Sequence, residues 1–221
     1  MPRSLVLGLI SAFALGCVVP PTSGEPAPRP PSPAKTVGKA SPAQAQRLQK
    51  VMVPLLKVMD DPVAVDQVSV GIIDDPQINA ANAGGGRFFV TTGLLEKAND
   101  QRLRAVLAHE VAHEDLNHVA KAQVLAAGLG LGAVLIDQVF PGTGQIAPIA
   151  GELVFRGYTR NEEFAADRHG VEILERAGYS RNDMIEGLTW LVQVSGDSGG
   201  GFFATHPGTV ERISALRGER R

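Results

Sequence analysis

Five consecutive residues carry the most specific chemistry in this chain: His109-Glu110-Val111-Ala112-His113. They lie in a run with apolar residues at helical spacing, Leu103, Val106, Leu107, Val111 and Leu116. On a helix each residue turns about 100°, so His113 stands about 40° around from His109 and one turn along. Two neutral imidazoles so placed can meet a single ion. Glu110 falls about 60° from His113, on the flank of the same face. From there its carboxylate can reach a water on that ion without ligating it. Two histidines on zinc, with a glutamate as general base, are the parts of a metal-activated hydrolase. The bland alternative is a charged helix face that fits a short pattern by accident. A third ligand, a substrate cleft and a donor for developing negative charge decide between the two.

The pattern supplies two nitrogens, and a zinc site needs at least one more protein ligand. The longer form of the motif, with Gly and His further along, is excluded because Leu116 and Val119 occupy those positions. His118 falls about 180° from His109 on a continuous helix. It is therefore expected to face away from the ion, as a surface histidine or an outer neighbour of the ligands. The better source is Asn161-Glu162-Glu163-Phe164-Ala165-Ala166-Asp167. Glu163 and Asp167 are one helical turn apart. One carboxylate can bind zinc while the other accepts a hydrogen bond from a ligating histidine and fixes its tautomer. Spacing alone leaves Glu162 open as the ligand. Without a metal these carboxylates would be exposed, paired weakly with Arg160 and Arg168.

The 221 residues suffice for one domain with a sizeable core after a leader and a tether are set aside. A net charge of −2 and 5% aromatic content give no reason to expect nucleic acid as a partner. Residues 1–16 read as an export signal: Arg3, then an apolar run from Leu5 to Leu15 that is too short to span a bilayer. Ala14-Leu15-Gly16-Cys17 resembles the bacterial lipoprotein signal, in which the cysteine becomes the lipid-bearing first residue. Ala14 departs from that pattern, which prefers Leu, and Ala12-Phe13-Ala14 offers an ordinary cleavage site instead. Cys17 is the only cysteine, so no intrachain disulfide is possible. Residues 17–42 form a proline-rich linker, extended and unable to bury a core. The folded domain is expected over residues 43–221.

Within it, Gln44 to Val58 has helical spacing interrupted by Pro54, and Val63 to Ile73 reads as a strand. Arg87 to Thr92 reads as a second strand after a hairpin connection at Gly84-Gly85-Gly86. Asn99 or Asp100 can cap a long helix that carries the two histidines and continues toward Lys121. Val124 to Ile136 is apolar but studded with Gly128, Gly130 and Gly132, and is expected as a buried or cleft-covering helix. Helices follow over Arg160 to Ala177, Asn182 to Val194 and Thr209 to Arg217, with a glycine loop from Ser195 to Gly201.

Four ordered motifs resemble the zinc metallopeptidases of the HtpX and CAAX prenyl protease group, which are gluzincins. They are Asn79-Ala80-Ala81-Asn82 with Gly85-Gly86-Arg87-Phe88-Phe89-Val90-Thr91-Thr92-Gly93-Leu94-Leu95; Val106 to His113; Arg160 to Asp167; and Thr205-His206-Pro207. They span about residues 79 to 213. The resemblance implies an α+β fold: a mainly helical zincin-like domain with a small β-sheet whose edge strand borders the active-site cleft. It also implies one Zn2+ per chain on His109, His113 and Glu163, with Glu110 as the catalytic base. It favours Glu163 over Glu162, makes Asp167 the partner of a zinc-bound histidine, and puts His206 near the cleft as an oxyanion donor. Arg160 is a weaker candidate for that donor, and His169 is expected at the surface. Arg87, Phe88, Phe89, Val90 and Thr91 are expected to form the edge strand that takes an extended peptide.

Together these readings predict a metalloendopeptidase of the bacterial envelope acting on polypeptide substrates. It would be membrane-anchored through lipidated Cys17 and face the periplasm. Val18, where an Asp would favour the inner membrane, leans the location to the outer one. The alternative is a non-proteolytic, zinc-stabilised, chaperone-like binding module. A latent protease covered by segment 122–150 is a further possibility.

Overall fold

The computed structural model describes residues 37–38, 40–122, 158–195 and 201–218, all within one compact unit, Ser32–Arg221. The leader, Cys17 and the expected covering run at Val124 to Ile136 lie outside the described residues.

The sheet has the order β1-β2-β4-β3. Strand β1, Val37–Gly38, falls within the expected linker and pairs antiparallel with β2, Ser69–Ile73. The expected strand from Val63 begins only at Ser69, after a 3-10 turn at Val65–Gln67. β2 then runs parallel to β4, Arg87–Thr91, with Ser69 opposite Arg87 and Ile73 opposite Thr91. The glycine run does close a hairpin, but its first arm is the short β3, Ala80–Asn82, antiparallel to β4. Gly84, Gly85 and Gly86 all have positive φ (77°, 62° and 73°), a region that glycine enters at little cost.

This topology corrects the expected substrate strand. Arg87–Thr91 is not an edge: β2 and β3 cover both of its sides. The physical reason is legible in its composition. Phe88, Phe89, Val90 and Thr91 are all buried, as in a strand covered on both faces. The edge is β3.

Helix α1, Pro42–Leu56, begins with a reciprocal cap: the Ser41 hydroxyl accepts from Gln44 N, and the Gln44 side chain accepts from Ser41 N. It buries Leu48, Val51, Met52, Leu55 and Leu56. A short α2, Thr92–Lys97, leads to α3, Asp100–Asp115, capped by Asn99, whose side chain accepts from Arg102 N at 2.9 Å. α3 is the central helix, buried on nearly every side, including Leu103 and every residue from Ala105 to His113. Against it lie α4, Arg160–Arg176, and α5, Arg181–Ser195. Close approach is possible because α4 carries Gly170 at the crossing: a Cβ there would stand 3.3 Å from the Ala108 carbonyl oxygen and 2.7 Å from Met184 Cε.

α3 does not run on to Lys121. It stops at Asp115, and Asn117 takes a left-handed conformation (φ 56°) before helix resumes over residues 118–122. Asparagine tolerates that conformation better than most residues and ends helices by adopting it. Two short helices complete the fold, α6 at Phe202–Thr205 and α7 at Thr209–Arg217. Leu55, Leu94, Leu103, Leu107, Ile173, Leu174 and Phe202 are fully buried in the core, each contributing about 1.5–3 kcal/mol by leaving water. Among the described residues no helix is long and apolar enough to cross a membrane.

Candidate metal centre

α3 and α4 cross so that His109, Glu110, His113 and Glu163 converge, and the turn after α6 adds His206. All five are 0% exposed. His109 Nε2 and His113 Nε2 stand 3.0 Å apart. Glu163 Oε1 lies 3.3 Å from His113 Nε2, and Oε2 lies 3.4 Å from His109 Nε2. His206 Nδ1 is 3.2 Å from His109 Nε2 and 3.0 Å from Glu163 Oε1.

These separations fit a metal. Ligand atoms about 2.0–2.2 Å from a tetrahedral zinc stand about 3.3–3.5 Å from one another. The chemistry of the donors fits as well. His109 Nδ1 lies 3.0 Å from Asp167 Oδ1, and His113 Nδ1 lies 2.8 Å from His118 Nδ1. With Nδ1 of each ring engaged outward, both Nε2 atoms face each other and the Glu163 carboxylate, an array completed by a proton or by a metal cation in its place. The structure brings together His109, His113 and Glu163, the residues the motifs single out, with His206 beside them, in a group that could hold a metal ion.

The electrostatics point the same way. Burial disfavours a charged Glu163, yet His206 and His109 outweigh it and hold the carboxyl far below the usual carboxylate range. Burial also disfavours charge on His109, but the Glu163 carboxylate and the bond to Asp167 raise it to about 9. Burial holds His113 well below its ordinary value and keeps it neutral, as a ligand must be. The pocket thus attracts positive charge.

Local structure separates Glu163 from Glu162. Glu162 is the third residue of α4, and its carboxylate accepts from Thr159 N at 2.8 Å and Thr159 Oγ1 at 2.7 Å, closing a capping box. That leaves Glu163, one residue on, directed into the interior. Asp167, one turn further, receives His109 Nδ1. Arg160 is exposed on the first turn of α4.

Glu110 is fixed by one oxygen. Asn82 N of β3 donates to Oε2 at 2.7 Å, while among the described residues Oε1 has no hydrogen-bond partner. His206 Nε2 is likewise without one and lies 3.3 Å from that oxygen.

Two residues differ from their sequence reading, and a third had none. His118 does not face away: the break at Asn117 takes it off the α3 spiral and buries it against His113, the outer-neighbour alternative and not the surface one. His169 is not at the surface but 7% exposed, with Nε2 2.6 Å from Asp115 Oδ2. Arg212 of α7 was not anticipated at all. It is fully buried, bonds Asp167 through Nε (2.6 Å) and Nη2 (2.7 Å), donates to the His206 carbonyl at 3.3 Å, and pairs with Glu163. Burial opposes charge on Asp167, but Arg212 pulls its pKa down to about 2. The signal for Arg212 was present: it shares a helix face with Leu216, and a charge on an apolar face requires a buried partner.

The profile of Peptidase family M48 matches residues 42–220. Metalloprotease YcaL of Escherichia coli (strain K12) is 23% identical over 186 residues, 79% of this chain and 71% of that protein. Metalloprotease LoiP of the same strain is 26% identical over 147 residues, 63% of this chain and 58% of LoiP. Protease HtpX of Xanthomonas euvesicatoria pv. vesicatoria (strain 85-10) is 30% identical over 189 residues, 67% of this chain and 65% of that protein. The chain therefore spans less than two thirds of LoiP and of this HtpX. Because the family match takes in every helix and strand that builds the cluster, the chain belongs to peptidase family M48 and is a peptide hydrolase of the metalloprotease kind.

Proposed function

We propose that the chain is a zinc endopeptidase of the bacterial cell envelope that cleaves extended or misfolded polypeptide. Its zinc would rest on His109, His113 and Glu163, with Glu110 as general base. The observation that carries this reading is the convergence of two Nε2 atoms and Glu163 beside a buried Glu110 that has one oxygen pinned and, among the described residues, the other without a hydrogen bond. Zinc bound there supplies Lewis acidity, polarising a carbonyl and lowering the pKa of a water to about 7. Asn82 N keeps Glu110 Oε2 in place, so Oε1 is the oxygen that takes the water's proton and returns it to the leaving amine. Asp167 and Arg212 hold the His109 ring. His206 Nε2 is the donor for the oxyanion. An extended peptide adds to β3, the sheet edge beside Glu110, through backbone hydrogen bonds that read chain more than side chain. Lipid on Cys17 and the proline-rich tether would hold the domain at the periplasmic face of a membrane, the outer one by the Val18 argument.

His206 also favours a second reading. Four protein donors make the pattern of a structural zinc site, whereas catalytic sites keep one position open. If His206 never leaves the donor set, the domain is a zinc-stabilised binding module for envelope proteins. Casein cleavage by the full zinc-loaded chain and by Glu110→Gln, with zinc content measured in both, separates these. The enzyme reading predicts equal zinc and a mutant slowed about 10²–10⁴-fold. Equal cleavage by the mutant overturns it, and an inert wild type with zinc bound favours the binding module.

A further inference from the structure

We propose that His118 is the positioning residue of His113: its Nδ1 accepts the Nδ1 proton of His113 and so commits Nε2 of His113 to the metal. This rests on the zinc reading above. The two Nδ1 atoms are 2.8 Å apart, and a single proton fits between them. With a metal on it, as the zinc reading has it, His113 Nε2 must be the unprotonated nitrogen; it converges there with His109 Nε2 at 3.0 Å and Glu163 Oε1 at 3.3 Å. In a neutral ring the proton is then on Nδ1. His118 must present a lone pair at Nδ1 and carry its own proton on Nε2.

The chain is built to bring His118 there. Asn117 N donates to Glu114 O at 2.8 Å, closing the end of α3, and Lys121 N returns to Asn117 O at 3.0 Å, opening the next helical stretch. With Asn117 left-handed between them, a residue that a continuous helix would send to the far side comes back onto the metal face. His118 is 6% exposed. Tyr158 completes the restraint: its ring stacks on His113 with centroids 3.6 Å apart and planes at 19°. The two zinc histidines are therefore held differently. His109 has a carboxylate, Asp167, braced by Arg212, while His113 has a neutral imidazole. A neutral acceptor binds more weakly than a charged one, which makes the His113 side the more easily loosened half of the site.

The test compares zinc affinity of the full chain, by competition with a chromogenic chelator, in wild type, His118→Phe and His118→Asn. Phenylalanine keeps the ring and removes the acceptor. Asparagine puts Oδ1 where the imidazole has Nδ1. The expected result is a dissociation constant raised about 10–100-fold in His118→Phe and largely restored in His118→Asn. Wild-type affinity in His118→Phe, or no rescue by asparagine, overturns the proposal. Should His118→Phe not fold, nitrogen NMR of the wild type decides: His113 protonated at Nδ1 and His118 at Nε2 is the expected assignment, and the reverse overturns it. A wild type that takes up no zinc defeats the functional reading, whereas zinc uptake with wild-type affinity in His118→Phe defeats this proposal alone.

Discussion

α3 and α4 meet twice around histidine and carboxylate, and the two meetings have opposite outcomes. At His109, His113, Glu163 and His206 the inward-facing atoms crowd to 3.0–3.4 Å of one another, and among the described residues Glu110 Oε1 and His206 Nε2 beside them have no hydrogen-bond partner. At Asp60, Asp115 and His169, which also come within metal-binding distance of one another, the polar groups are already paired. Asp115 accepts from Asp60 N at 2.8 Å, from Asp61 N at 2.7 Å and from His169 Nε2 at 2.6 Å. His169 Nδ1 lies 3.0 Å from Glu172 Oε2. The second cluster is a clamp that ties the chain after α1 to the end of α3 and to α4. Residue types alone do not separate a metal site from a structural clamp. What separates them is whether hydrogen bonds exhaust the donors.

Breaking each cluster should therefore give different losses. Glu163→Gln removes an anionic ligand from the first, so zinc content should fall from one per chain to a small fraction and casein cleavage should go with it. Elemental analysis and a cleavage assay on the same sample check this. Arg212→Met leaves the buried Asp167 without its countercharge. The metal-free protein should lose about 3–5 kcal/mol of unfolding free energy, measured by denaturant titration. Asp115→Ala should cost about 1–3 kcal/mol, because two backbone N–H groups and His169 lose their acceptor. Its zinc stoichiometry should stay at that of the wild type, which is the sharpest form of the contrast.

The smallest effect is one of pH, away from both clusters. Hydrogen bonds from Arg47 and then Lys50 hold Asp100 below its ordinary value. A lowered folded pKa contributes stability above the unfolded value near 3.9 and loses it as pH falls through the folded value. Asp100 is partly exposed, so the contribution is under about 1 kcal/mol. Wild type should therefore lose slightly more stability than Asp100→Asn between pH 5 and pH 3, as read from paired denaturation curves.

The metal helix was legible in the sequence because its geometry is local. His109, Glu110 and His113 need only the helical period, and Glu163 and Asp167 need only one more turn of the same kind. Glu162 dropped out for an equally local reason, the cap at Thr159. What escaped depends on tertiary structure or on a single dihedral angle. His118 was misread because one left-handed residue, Asn117, invalidates every angle counted past it. The sheet edge beside Glu110 was misplaced because Ala80-Ala81-Asn82 is too short and too small to read as a strand, while Arg87–Thr91 reads strongly as one for the same reason that it is interior. The parallel pairing of β2 with β4 is set by the whole sheet and not by the glycine turn. Arg212 became meaningful only once α7 was laid against Asp167.

The first cluster is proposed to hold the ion and the second to hold none. Anomalous scattering at the zinc absorption edge, from crystals of the zinc-loaded chain, tests it directly. The account predicts one peak about 2.0–2.2 Å from His109 Nε2, His113 Nε2 and a Glu163 oxygen, with none at Asp115 and His169. A peak at the second cluster, or none at the first, would contradict it.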